Sequence, residues 1–295
     1  MSADNSTTIG EGVATQVREG RRLDAATVSQ LATTTDILAL GALADDARRV
    51  RHGATATFVR VHALDLAAAA QWTAAPATAQ ETRITGTPNS LDAAVDAVLQ
   101  AKPLAAHTVL RGFALADVFV MGGEEACRAL AAAGLDELAV CHVGPDAAEA
   151  VRAARDAGLG VRVVGIEHEP ADRAAWLLAV RALQDAVGGL HAVAPLPRAI
   201  DPTMPTTGFS DVRQVALARL ALEQVPSVQV DWVHYGPKLA QVALTVGADD
   251  LDGVPAVDDL SLGSRRATLD DLRRNIVAAG LTPCERSGRH TRLDG

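Results

Sequence analysis

The chain has 295 residues, 48% of them hydrophobic, with 27 Lys and Arg against 36 Asp and Glu for a net charge of −9. That length allows one large α/β barrel or two ordinary domains. The acidic balance excludes a protein built mainly to grip nucleic acid or an acidic membrane, which needs clustered cations.

In chain order, the polar start MSADNSTTIGEG lacks a charged-then-apolar signal, and residues 1–20 read as a polar tail. Leu23–Val50 reads as helix, with Thr34, Thr35 and Asp36 as a break and N-cap. Short β-type runs follow at Thr57–Val61, Thr82–Thr85, Thr108–Arg111, Glu137–Cys141, Val161–Ile166, His191–Pro195 and Val228–Val233. Leu91–Gln100, Cys127–Ala133, Ala147–Ala157, Ala171–Val187 and Asp211–Glu223 read as helices between them, the fourth carrying Trp176, Val180, Leu183 and Val187 at helical steps. Leu66–Gln80 is of low complexity.

Strand–helix alternation over about seven or eight units predicts a parallel (β/α) barrel. Residues 21–295 then form one domain: a helical extension at 21–53, the barrel at 54–235, and a C-terminal helical and loop region at 236–295. No GxGxxG, Walker loop, GxSxG or HExxH is present. Three scattered cysteines, Cys127, Cys141 and Cys284, give no disulfide framework and no CxxC cassette. No apolar run reaches the ~18–20 residues of a membrane span. A soluble, cytoplasmic protein is expected.

Two segments are more particular. Arg22–Gly53 reads RLDAATVSQLATTTDILALGALADDARRVRHG, and Thr206–Gly253 contains DWVHYGPKLAQVALTVGADDLDG. With LRGFALADV near residue 110, AGLDEL at 133–138 and RALQDAVGGLHAVAPLPR at 181–198, they resemble the radical S-adenosylmethionine enzymes of the futalosine route to menaquinone. These are aminodeoxyfutalosine synthase and the dehypoxanthine futalosine cyclase, with the deazaflavin-forming FO synthases more distant. The run GPKL at 236–239 and GADDLDG at 247–253 looks most like aminodeoxyfutalosine synthase.

The resemblance implies a radical-SAM-type (β/α) barrel with a [4Fe–4S] cluster at its C-terminal face, held by CxxxCxxC in the loop after the first strand, and S-adenosylmethionine on the fourth iron. Here that loop reads HALDLAAAAQWTAAPATAQ and has no cysteine. Ala, Gln and Thr do not replace thiolates. The family's glycine-rich stretch after the AGLDS-like segment is also missing: AGLDEL runs directly into AVCHVGPDAAEAV. The reading is a degenerate member, truncated at the cofactor face, with neither [4Fe–4S] nor S-adenosylmethionine expected. It would bind a pathway intermediate, such as a small aromatic acid or nucleoside, or a cluster-bearing paralogue or second copy of itself.

The substrate-binding candidates are His62, His142, His168, Arg198, Thr207, Trp232, His234, Tyr235 and Lys238. Trp232 and Tyr235 offer ring stacking and Lys238 a carboxylate partner. Against this, Gly236-Pro237 reads as a strand-to-helix turn, with the aromatics plugging the barrel end. Thr206-Thr207, after Asp201-Pro202 and Pro205, suggests a rigid loop over the mouth, and Arg198 a carboxylate partner. His, Cys and Glu at strand ends, with Cys141, Glu167 and His191 among them, suit Zn²⁺, but histidines scattered by chance account for them and no metal is expected. The acidic GADDLDG run reads as capping the following element, or, as the resemblance suggests, binds a ribose hydroxyl. The alternative function is a non-radical hydrolase or lyase using His and carboxylates at the mouth.

Overall fold

A computed structural model describes residues 9–199, 207–263 and 268–293. Three helices precede the sheet: α1 Glu11–Arg18, α2 Ala25–Thr33 and α3 Ile37–His52. Helix α1 falls where the sequence reads only as a polar tail. Asp24 caps α2 by accepting from Thr27 N at 2.7 Å, and Asp36 caps α3 from Ala39 N at 2.9 Å. The two carboxylates satisfy otherwise orphaned N-terminal amides, which is why the chain breaks at Thr34–Asp36. Arg22 ties this layer to the barrel through Asp185 at 2.8 Å and Glu223 at 2.6 Å.

The barrel strands are β1 Thr55–Asp65, β2 Glu81–Thr85, β3 Val109–Ala114, β4 Glu137–Val140, β5 Val163–Gly165, β6 Ala192–Ala194, β7 Ser227–Asp231 and β8 Asp250–Pro255. They pair in parallel in the order β4-β3-β2-β1-β8-β7-β6-β5. Isolated parallel bridges at Glu137–Gly160 and Cys141–Val164 join β4 to β5. The result is a nearly closed eight-stranded parallel barrel, as the strand–helix alternation predicts. Helices α4 Leu91–Ala105, α5 Leu115–Ala133, α6 Ala147–Asp156, α7 Arg173–Val187, α8 Gly208–Ala221 and α9 Trp232–Thr245 lie between successive strands, and α10 Leu269–Ala278 follows β8. Strand β9, Thr282–Glu285, pairs with the first half of β1.

Several boundaries differ from the sequence reading. The run Val228–Val233 stops as strand at Asp231, because the Asp231 carboxylate accepts from His234 N at 2.7 Å and starts α9 at Trp232. Helix α5 begins at Leu115, ahead of Cys127, and is broken at Gly122 and Gly123. The acidic 247–253 run is no capping loop: its second half is β8, so the barrel extends to Pro255, past residue 235. Asp201-Pro202, Pro205 and Thr206 lie outside the described residues.

The lumen is filled by charge as well as by aliphatic side chains. Arg83 is bidentate with Asp252 (2.8 and 2.9 Å) and bonds Glu81 at 2.6 Å. Arg111 pairs with Glu81 at 3.1 Å and Glu137 at 2.6 Å, and Arg162 reaches Glu137 at 2.7 Å. After β9 the chain turns under the barrel, where Arg286 is bidentate with Asp250 at 2.7 Å for both bonds. The His290 ring lies 4.6 Å from that of His191. This arm passes so close that a Cβ on Gly288 would lie 2.2 Å from Val109 Cγ1. The named arginines and carboxylates offset one another, the condition under which buried charge is tolerated. Among the described residues, no helix is long and apolar enough to cross a membrane.

Candidate functional site

The opposite end, at the C-terminal ends of the strands, is open. A pocket of about 720 Å³ is lined by β1, β2, β7, β8 and the turn after β8. Its walls are apolar at Val61, Ala63, Val233, Pro255 and Leu260, and polar at His62, Arg83, Arg198, Asp231 and His234. A second chamber of about 70 Å³ shares Arg198, Asp231 and His234 with it and reaches down to Gln229, Tyr235 and Asp252. Mouth and chamber adjoin at these three residues, the mouth wide and the chamber narrow. An apolar enclosure with a few converging polar groups is the usual form of a small-molecule site.

Asp231 is the pivot. It stands beside Asp252 in the parallel pairing of β7 and β8. Burial first, and the Asp252 charge second, push its carboxyl above the ordinary range. Asp252 instead goes well below that range: burial opposes ionisation, but the Arg83 guanidinium overrides it. Two neighbouring carboxylates are thereby driven apart, one matched by a cation and one left to the pocket. Gly253, at φ +69°, keeps the space beside Asp231 open, since a Cβ there would lie 3.1 Å from both carboxylate oxygens.

The structure gathers His62, Arg198, His234 and Tyr235 of the sequence candidates around this space. His62 Nε2 lies 2.8 Å from the Thr73 carbonyl. Tyr235 donates its hydroxyl to the Pro197 carbonyl and stacks edge-on with His234 at 4.7 Å, and burial raises its phenol. The other candidates are elsewhere. His142 is half-buried beyond β4, its Nε2 without a hydrogen-bond partner and its pKa lowered by burial. His168 is exposed in the bend after β5. Thr207 caps α8, accepting from Ser210 N at 3.2 Å. Trp232 is fully buried in the core and cannot stack on a ligand, and Lys238 lies in the groove between α9 and α10 with Asp271 and Arg274.

Sequence reasoning missed Arg83, Gln229, Asp231 and Asp252. The available signal was the alternation in SVQVD at 227–231, where polar residues interrupt an apolar strand at a period of two.

The cysteines do not converge. Cys127 is buried on α5, Cys141 is buried at the end of β4, and Cys284 is on β9 at the far end of the barrel. Burial pushes the Cys141 thiol up to about 12, the reverse of what ligation by thiolate requires. The residues present do not fit a three-thiolate cluster cradle. Among the described residues, no group of three or more His, Cys, Asp and Glu is arranged to hold a metal ion.

Residues 197–293 match the CofH/MqnC C-terminal region. The chain is 33% identical over 145 residues to aminodeoxyfutalosine synthase of Streptomyces coelicolor, covering 42% of this chain and 37% of that enzyme. It is 34% identical over 121 residues to the Thermus thermophilus enzyme of the same name, covering 36% and 32%. It is 32% identical over 130 residues to the 5-amino-6-(D-ribitylamino)uracil–L-tyrosine 4-hydroxyphenyl transferase of Archaeoglobus fulgidus, covering 40% and 38%. The matched stretches thus span under two fifths of these relatives' length. Among solved structures, methylornithine synthase is similar with a TM-score of 0.65 at 14% identity, covering 92% of this chain and 97% of that one. The FeFe-hydrogenase maturase HydG of Carboxydothermus hydrogenoformans also gives 0.65, at 11% identity, covering 95% and 80%. At such identities the likeness is one of fold.

Proposed function

We propose that this chain, whose residues 197–293 match the CofH/MqnC C-terminal region, is a member of the futalosine-pathway radical S-adenosylmethionine family with a role without radical chemistry: a cluster-less barrel associated with menaquinone biosynthesis. It binds a small ligand of that pathway, an aromatic acid or nucleoside, at the mouth. The observation that carries this reading is the pairing of an open pocket beside Asp231 and Arg198 with a loop after β1 that has no cysteine. Cluster ligation needs closely spaced thiolates, and the three thiols sit on α5, β4 and β9. The rim also exposes Val257 and Leu260, apolar surface suited to a covering partner such as a cluster-bearing paralogue.

Anaerobic reconstitution with iron and sulfide, followed by absorption spectroscopy and iron analysis, tests the reading. The expected product is colourless, with iron well below one cluster per chain. Stoichiometric iron with an iron–sulfur charge-transfer band overturns it.

A second reading has its own observation. Asp231, with its raised carboxyl, shares both chambers with His234, a combination suited to acid–base work in a hydrolase or lyase. It predicts turnover without reductant, and equal rates in air and under nitrogen.

A further inference from the structure

We propose that the narrow chamber beneath the mouth, walled by Gln229, Asp231 and Asp252, is a subsite for a primary ammonium group carried on an apolar body. The inference rests on the reading of the mouth as a small-ligand site and specifies what the deep end of that ligand carries.

The chamber is rich in acceptors. Gln229 is 5% exposed and lines it, and its Oε1 has no hydrogen-bond partner. A buried amide oxygen left without a donor is costly. Asp231 accepts one backbone amide, from His234, and no ion pair joins it to an arginine among the described residues. The Pro197 carbonyl takes the Tyr235 hydroxyl, which spends the one phenolic donor nearby. Asp252 is already saturated by Arg83. What is missing is a compact group with several donors and a positive charge. An ammonium carries three N–H bonds and one charge, enough for Gln229 Oε1 and the Asp231 carboxylate together. A carboxylate or phosphate head would meet like charge there. Asp231's upward shift agrees, as the mark of a carboxylate waiting for a counter-charge. Arg198 also borders the chamber, but it is solvent-exposed, so its repulsion is screened more than the buried attraction.

At about 70 Å³ the chamber holds a head group and not a ring. The apolar walls of the 720 Å³ mouth receive the body.

Three probes with one phenolic body separate the terms: tyramine, 4-ethylphenol and 3-(4-hydroxyphenyl)propionate, titrated calorimetrically into the full-length protein at neutral pH. Tyramine should bind at least about tenfold more tightly than 4-ethylphenol, the size of one charge-assisted hydrogen bond in an enclosed site, and the propionate most weakly. Gln229→Leu and Asp231→Asn should each remove that preference, bringing the ratio of tyramine to 4-ethylphenol affinity close to one. Asn is a competent helix cap, and circular dichroism checks both folds. A tyramine affinity no better than that of 4-ethylphenol overturns the inference, as does a preference that survives both substitutions. If the propionate binds best, the ammonium subsite falls and the ligand-binding mouth stands. If none of the three binds, both fall.

Discussion

Replacing Arg286 by Met tests the charge-filled lumen most directly. Arg286 is 2% exposed, and both of its bonds to Asp250, itself fully buried, are 2.7 Å long. Met preserves much of the aliphatic length and removes the charge. Asp250 would keep the Thr57 hydroxyl at 2.6 Å but no cation at bonding distance. Breaking one side of a buried pair costs about 3–5 kcal/mol, because the remaining charge is left uncompensated. Against the roughly 5–15 kcal/mol that holds a typical domain, that is a large fraction. With a urea slope of about 3 kcal/mol per molar, the unfolding midpoint should fall by roughly 1–1.7 M, read by far-ultraviolet circular dichroism. The companion Asp250→Asn removes the orphaned charge, so the double variant should be more stable than the sum of the single losses by about 2 kcal/mol. A single variant within about 1 kcal/mol of the parent, or strictly additive losses, would refute the claim that this pair is held as a buried unit.

Other expectations follow from individual contacts. Gly160→Ala would put a Cβ 2.5 Å from Glu137 Cγ; since Arg111 and Arg162 pin that side chain, thermal unfolding should show a loss of about 1–3 kcal/mol. Burial, and then the Arg286 charge, lower the pKa of both His290 and His191, so the fold disfavours protonation of these rings. Below about pH 6.5 the unfolded chain takes up more protons at these sites than the native chain, so their stabilisation is complete above that pH and is lost as pH falls. His290 alone should cost about 2 kcal/mol between pH 6.5 and 5, and a His290→Gln variant should flatten the measured slope by one proton; an unchanged slope contradicts the assignment. Ellman's reagent should label Cys284 promptly in the native protein and reach Cys127 and Cys141 only on unfolding, because the latter two are buried and Cys141 is pushed up to about 12.

The barrel was legible because its strands and helices carry local signals. The breaks at Thr34–Asp36 and the apolar spacing of Ala171–Val187 act through capping and helical periodicity, which need no knowledge of the tertiary fold. Strand β8 was not legible. Asp250-Leu251-Asp252 has the composition of a turn, and only the arginines of β2 and of the chain after β9 make two aspartates stable inside a barrel. Trp232 shows the opposite error. An aromatic residue beside His234 and Tyr235 suggests a stacking platform, but the cap at Asp231 turns the chain into a helix and sends the indole into the core. His234 and Tyr235 were found because they follow a strand end. Gln229 and Asp231 were overlooked because their importance comes from the neighbours that β8 and Arg83 supply.

The two ends of this barrel hold the same residue types in opposite states. At the closed end, Arg286 returns from beyond β9 to Asp250, and Arg111 donates to the Gly288 carbonyl as well as to Glu137. Each charge there is fixed by a partner far away in sequence, so the arm is part of the core and not an appendage. At the open end the same β8 alternation delivers Asp252 to Arg83, while its neighbour on β7, Asp231, has no such partner among the described residues. One sheet encloses both carboxylates, with Asp252 buried and Asp231 half-buried, and it is the more buried one that is pushed below the ordinary range, so burial alone cannot explain the difference. The difference is chiefly the Arg83 guanidinium, placed by β2 against β8, with the charges of Arg286 and Arg111 adding to it at Asp252. That asymmetry sets the electrostatics of the mouth: the scaffold satisfies its own charge up to the level of Asp252, and the first carboxyl above that level, Asp231, borders the open pocket.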